Sequence, residues 1–356
     1  KKRERSESVD NKDSSPEIKK PRKHLIRTLK KSDGSITAFV LRAGTPKQKV
    51  ISVRDILTVL SYIFAFGVMM VSVVITLYYV IVASRNEFHS DCTDTLMWAN
   101  ASYESGSVYD PDFKYACFLP FGVNLIMQPL IHLTGLSLTT HILGMTGFFL
   151  IITLMFFIMQ NVIGTGARGA ALGTAVFLAM TLSSRKLREI FWGHTIYYTL
   201  GILFLIIGIA LYFRITTKGS SLRRINAKNG DTSGMNYSIA LTACIFAVFI
   251  MLAATDGISA ISIFALPLMA AIAAEYFLDM RNRLFSFNTL YMALRVAAVA
   301  VMTLLGIFLN NKLIGDLSAG YQEANSMYSA MSTWSDHLRN LPTAWMSLLG
   351  VKSMEG

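Results

Sequence analysis

Two carboxylates three residues apart, Asp91 and Asp94, sit in a polar segment, Ser90-Asp91-Cys92-Thr93-Asp94, directly after the first long apolar run. At helical spacing they share a face with Thr95 and Trp98. Two acids that close repel each other, which invites a cation or a metal between them. A carboxylate so placed suits a general base that takes a proton from a hydroxyl. The plain structural alternative is a solvated helix start, with Ser90 or Asp91 as cap and acids in the first turn. Trp98 and Tyr103 would give the acids an amphipathic, ring-stacking setting, which favours chemistry.

A second group lies in Ser184-Arg185-Lys186-Leu187-Arg188-Glu189-Ile190-Phe191-Trp192-Gly193-His194. Arg chelates a phosphate with a forked guanidinium and Lys neutralises it as a point charge, so Lys186 and Arg188 are candidate anion contacts. Glu189 counts with them as a ligand contact. His194 could supply a hydrogen bond or a proton to a leaving group. The alternative is an anchor for lipid headgroups, with Trp192 in an aromatic belt. Two isolated positions complete the set. Asp256-Gly257 is either a tight turn or a third carboxylate at the membrane edge. Asn124, opening another apolar stretch, either contacts a ligand or caps a helix.

The elements that must position these residues are helices. Mean hydropathy is +0.46, 53% of residues are hydrophobic and 15% are charged. Several apolar runs exceed 18 residues, as expected for an all-α polytopic membrane protein. Seven spans are predicted, at Ile56–Ala83, Leu138–Met159, Gly169–Ser183, Thr195–Phe213, Tyr237–Ala254, Ile258–Leu278 and Thr289–Leu309. An eighth stretch, Phe118–Leu133, is short and carries Pro120 and Pro129, so an interfacial helix is expected there instead. Leaving it on the surface keeps the basic loops 214–236 and 279–288 on the cytoplasmic side, as positive charge prefers. The acidic loop 84–137, the loop 184–194, the turn at 255–257 and the tail from Asn310 then share the outer face.

Residues 1–55 hold 16 Lys/Arg against 7 Asp/Glu, most of the chain's net charge of +11. We read them as a largely disordered cytoplasmic tail near anionic lipid. A nucleic-acid arm is disfavoured, because no aromatics interleave the basic residues. The core is then 56–309, and 310–356 an extracytoplasmic segment beginning a longer region. Cys92 and Cys117 flank one polar segment and could close a loop of about 25 residues if that side is oxidising; two isolated thiols are the alternative. No zinc spacing, haem motif or Ser/His/Asp order occurs.

One span followed by a long loop opening on an acidic motif, an interfacial helix in that loop, and a charged second loop resembles the GT-C membrane glycosyltransferases. The resemblance is architectural, over about Ile56–Leu309, with the acidic first loop its one match at motif level. It implies sugar transfer from a polyprenyl-phosphate or polyprenyl-pyrophosphate carrier to a glycan, lipid or protein acceptor, in a bacterial plasma membrane. By the same resemblance Asp91 or Asp94 would be the base. Lys186, Arg188 and His194 would face the departing phosphate. Some members use a divalent cation, so Asp91, Asp94 and Asp256 are open as oxygen ligands for Mg or Mn. A transporter, or a non-catalytic membrane subunit of cell-envelope polysaccharide assembly, is the alternative. The former is disfavoured by mid-span positions that read as almost wholly apolar.

Overall fold

The computed structural model describes residues 36–42, 45–108, 110–115, 122–193, 198–229, 237–256, 260–278, 287–314 and 329–351. The chain divides into two compact units, Lys1–Ser61 and Tyr62–Gly356. In the first, β1 (Ile36–Arg42) pairs antiparallel with β2 (Thr45–Ile51), Ile36 opposite Ile51 and Arg42 opposite Thr45. Ile36, Thr37, Phe39 and Val40 favour a pleated strand, so part of the basic tail is a hairpin where disorder was expected.

Helix α1 (Val53–Ile81) starts on a reciprocal cap. Asp55 accepts from both the backbone N–H and the hydroxyl of Ser52, and the Asp55 N–H returns to Ser52 Oγ. From Val53 onward every described element is helical: α2 (Asp94–Ser105), α3 (Val123–Thr134), α4 (Leu138–Val162), α5 (Gly166–Leu182), α6 (Arg185–Arg188), α7 (Leu200–Asn229), α8 (Tyr237–Ala253), α9 (Leu266–Leu278), α10 (Phe287–Ile314) and α11 (Trp334–Leu348). Four helical stretches are long and apolar enough to cross a membrane: Val53–Ile81, Leu138–Val162, Ile261–Leu278 and Thr289–Lys312. Gly166–Leu182, Leu200–Thr216 and Ala240–Ala253 are shorter apolar helices. This composition is that of a membrane protein. Helix α7 runs on past Phe213 through the basic stretch predicted as a loop, where its Lys and Arg are good helix formers although Gly219, Ser220 and Ser221 are not.

Helix α4 is the centre of the bundle. Its Phe148, Phe149 and Ile152 are fully buried, packed with Leu178 of α5 and Leu200 of α7 into a core that continues to Phe264, Leu268 and Ile272. Helix α1 instead exposes Ile63, Phe64, Val71, Val74 and Ile75, which an aqueous medium would not tolerate as one face. Glycines stand at the closest crossings. A methyl added at Gly144 of α4 would run into Met127 of α3, and one at Gly306 of α10 into the carbonyl of Met251 of α8. The first crossing folds α3 back along α4 after the turn at Gly135, where Ser137 Oγ accepts the Thr140 N–H as an N-cap.

Candidate functional site

A cavity of about 160 Å³ opens where α1 ends, α4 begins and α5 ends. The chain leaves α1 into a 3-10 turn, Ala83–Glu87, then a second, Ser90–Thr93, before α2. Across from it, α5 gives way to α6 and then to a π turn, Glu189–Gly193. Such turns hold one residue more than an α turn and recur at functional sites. The wall is formed by Tyr79, Glu87, His89 and Cys92 from the first side, His141 and Met145 from α4, and Arg185, Glu189, Trp192 and Gly193 from the other. The volume is below the ~300 Å³ at which drug-sized sites begin, and suits a phosphate or a single sugar ring.

Two wall residues stand out. His141 and Trp192 are buried, at 6% and 3% exposure, and neither His141 Nδ1 nor Trp192 Nε1 finds a hydrogen-bond partner among the described residues. Buried polar atoms are normally satisfied, so this wall carries two unspent hydrogen-bonding groups. The His141 ring is held edge-on by Phe88 at 5.1 Å, and the Trp192 ring by Phe149 at 5.5 Å.

Glu87 is the best-held carboxylate in the wall. Arg188 Nη2 donates to its Oε1 at 3.0 Å, and the Tyr79 hydroxyl donates to Oε2. The guanidinium also donates to the Leu182 carbonyl at 3.3 Å, closing the end of α5, and lies 5.5 Å from the Tyr79 ring centre. The hydrogen bond from Arg188 holds the Glu87 carboxyl below its usual range, against a smaller opposing push from burial. Glu189 pairs with Lys186 at 3.3 Å, and Arg185, exposed, lines the same wall. Burial pushes the Cys92 thiol up.

The residues singled out by sequence divide accordingly. Glu189 lines the cavity; Lys186 reaches it only through Glu189. Arg188 is committed to Glu87 and the end of α5, so it acts as a clamp before it acts as an anion contact. Asp91 and Asp94 flank Cys92 but are not wall residues; Asp91 is exposed and Asp94 half-buried at the start of α2. Trp98 is 2% exposed, its ring 4.8 Å from that of Tyr115, so it is a packing residue and not a stacking platform. Asn124 is buried, and its Oδ1 accepts the Gly122 N–H at the opening of α3. His194, Cys117 and the Asp256 side chain lie outside the described residues; Asp256 ends a 3-10 turn, Ala254–Asp256. Among the described residues no three His, Cys, Asp or Glu side chains converge as a metal site. Sequence reasoning missed Glu87, Tyr79 and His141. Tyr79 and His141 are polar groups inside apolar runs, and that was the available signal.

A second cluster repeats the chemistry deeper in the helices. The Tyr212 hydroxyl donates to Glu275 Oε2 at 2.5 Å, Arg295 Nη1 donates to the Tyr212 oxygen at 2.7 Å, and Arg295 stands 3.7 Å from Glu275. The apolar runs are therefore not free of charge, although Glu275 keeps 35% of its side chain exposed near the end of α9. The π turn Ile261–Ala265 lies in the same region, with Ile263 against Gly201 and Phe264 against Gly208 of α7.

Comparison with known protein families, with curated proteins and with solved structures found no match.

Proposed function

We propose that this chain is a GT-C-type membrane glycosyltransferase, moving a sugar from a polyprenyl-phosphate carrier to a hydroxyl on a glycan, lipid or protein acceptor. The observation that carries the reading is the cavity. It brings a cation, a carboxylate and two unspent hydrogen-bonding groups, Arg185, Glu189, His141 and Trp192, to the end of apolar helices where a lipid-linked substrate would enter sideways.

Helix order supports the placement. On this reading the three shorter apolar helices cross as well as the four long ones, and the meeting of the ends of α1 and α5 and the start of α4 at one cavity is consistent with alternating crossings. The Ser184 hydroxyl donates to the Leu348 carbonyl at 2.6 Å, which returns the tail to that same end. The basic hairpin unit and the basic end of α7 then belong to the cytoplasmic side of a bacterial plasma membrane. Helix α3, which carries Pro129 and folds back along the first turns of α4, would then sit at the outer end of the bundle.

In the reaction, Arg185 meets the carrier phosphate, and Lys186, paired with Glu189, adds positive charge behind the wall. His141 and Trp192 hydrogen-bond the sugar or its bridging oxygen. Glu189 takes the proton from the acceptor hydroxyl as its oxygen bonds to the anomeric carbon. The bond from that carbon to the phosphate oxygen breaks on the opposite face, so configuration inverts and polyprenyl phosphate departs with both electrons. The charge growing on that phosphate is what the cations stabilise most. Glu87, already ionised and doubly hydrogen-bonded, shapes the wall and is a poor base.

The test is transfer of radiolabelled sugar from a panel of polyprenyl-phosphate donors by the protein in liposomes. Turnover should fall about 10²–10⁴-fold in Glu189→Gln, the range for losing a general base, while Asp91→Asn/Asp94→Asn retains most of it. The reverse pattern would return the base to the acidic motif. A folded protein that turns over no donor would overturn the reading.

A further inference from the structure

We infer that α11 is a membrane-interface helix, lying along the outer surface of the bilayer with its apolar stripe in the headgroup–acyl boundary. Trp334, Leu338, Leu341, Trp345 and Leu348 follow one another at four- and three-residue steps. At about 100° per residue they fall within roughly 80° of the helix circumference. Asp336, Arg339, Asn340, Thr343 and Ser347 take the other side. The stripe is large and bare: Trp334 is 50% exposed, Leu338 69%, Leu341 51% and Trp345 57%.

What covers it follows from where its last turn is fixed. Leu348 and Leu349 pack against the core cluster of the bundle, and the Leu348 carbonyl takes the Ser184 hydroxyl just past the end of α5. Gly350, at φ +82°, passes so close that an added methyl would sit 3.2 Å from the Ser183 carbonyl. The stripe therefore begins on the protein, at the level where an apolar helix leaves the bilayer, and runs off it with none of the described residues covering it. The medium at that level is the interface, and Trp with aliphatic neighbours is the side-chain set that partitions there. One Asp and one Arg on the polar face balance, so attachment is apolar and indifferent to headgroup charge.

The chain's four Trp make the test direct. Trp98 and Trp192 are buried at 2% and 3% exposure, so a quencher in the lipid reports on Trp334 and Trp345. The full chain would be reconstituted in phosphatidylcholine vesicles carrying chains brominated near the headgroup. The inference expects bromolipid to quench the emission of those two residues, aqueous acrylamide to leave it, and high salt to change neither. Trp334→Phe/Trp345→Phe should lose the quenched component. Leu338→Gln/Leu341→Gln should exchange bromolipid quenching for acrylamide quenching at unchanged thermal stability. Quenching of wild type by acrylamide alone would put the helix in water. Quenching by neither would put the stripe against protein, such as a second copy. Both results overturn the inference.

Discussion

The two Tyr–Glu–Arg clusters use the same three side chains in different order. At the cavity, Arg188 grips Glu87 directly at 3.0 Å and Tyr79 adds a second hydrogen bond. Within the helices, Arg295 grips the Tyr212 hydroxyl at 2.7 Å, and the hydroxyl passes the contact on to Glu275. The first ties the turn after α1 to α6 beside open space; the second ties α7, α9 and α10 to one another. The lesson is that the triplet is a helix clamp in both places. Only the first borders a cavity wall with a further carboxylate and cation, Glu189 and Arg185.

Surroundings also set what each clamp is worth, and that ranks the ways to break them. Arg295→Met should be the most damaging, because it leaves Glu275 charged among apolar helices. About 3 kcal/mol of unfolding free energy is expected in detergent, largely restored by adding Glu275→Gln. Arg188→Met should cost less, about 2 kcal/mol, because Glu87, although no more exposed than Glu275, lies past the end of apolar helix α1 and lines an open cavity; the lost Leu182 contact is included. If Arg188→Met proves the costlier, the two sites have been ranked the wrong way round. Tyr79→Phe and Tyr212→Phe should each cost about 1 kcal/mol, with Tyr212→Phe the larger because its hydroxyl carries both links.

The smallest effect is on pH. Glu87 is held below its ordinary range, so the stability it contributes is fully present above that range and is lost as pH falls through its lowered folded value. The stability gap between wild type and Arg188→Met should thus be constant near neutrality and close only at acidic pH. A gap that narrows toward alkaline pH instead would mean that Glu87 is not the partner that matters.

Helices were legible in the sequence because long apolar runs admit little else. The predicted Leu138–Met159 and Tyr237–Ala254 became helices Leu138–Val162 and Tyr237–Ala253. The site was only half legible. Glu189 and the loop that carries it were visible as a charged segment between apolar runs. Glu87 was not, because its meaning depends on Arg188, 101 residues away. Trp98 misled for the opposite reason: its spacing from the acids is helical, but the face it shares packs on Tyr115. Local patterning reports which residues share an element. It does not report which elements meet, and both clamps are made across elements.

The π turn Glu189–Gly193 carries one residue more than a regular helix would, and that makes the site sensitive to chain length as well as to chemistry. Deleting a single residue there, Ile190 for instance, would turn Glu189 by about 100° relative to Trp192 and Gly193, with which it shares the cavity wall. Glu189 would swing off the cavity wall while every charged group in the protein was still present. If Glu189 is the base proposed above, a one-residue gap at this position should be as disabling as loss of the carboxylate itself, and a compensating one-residue insertion nearby should rescue it.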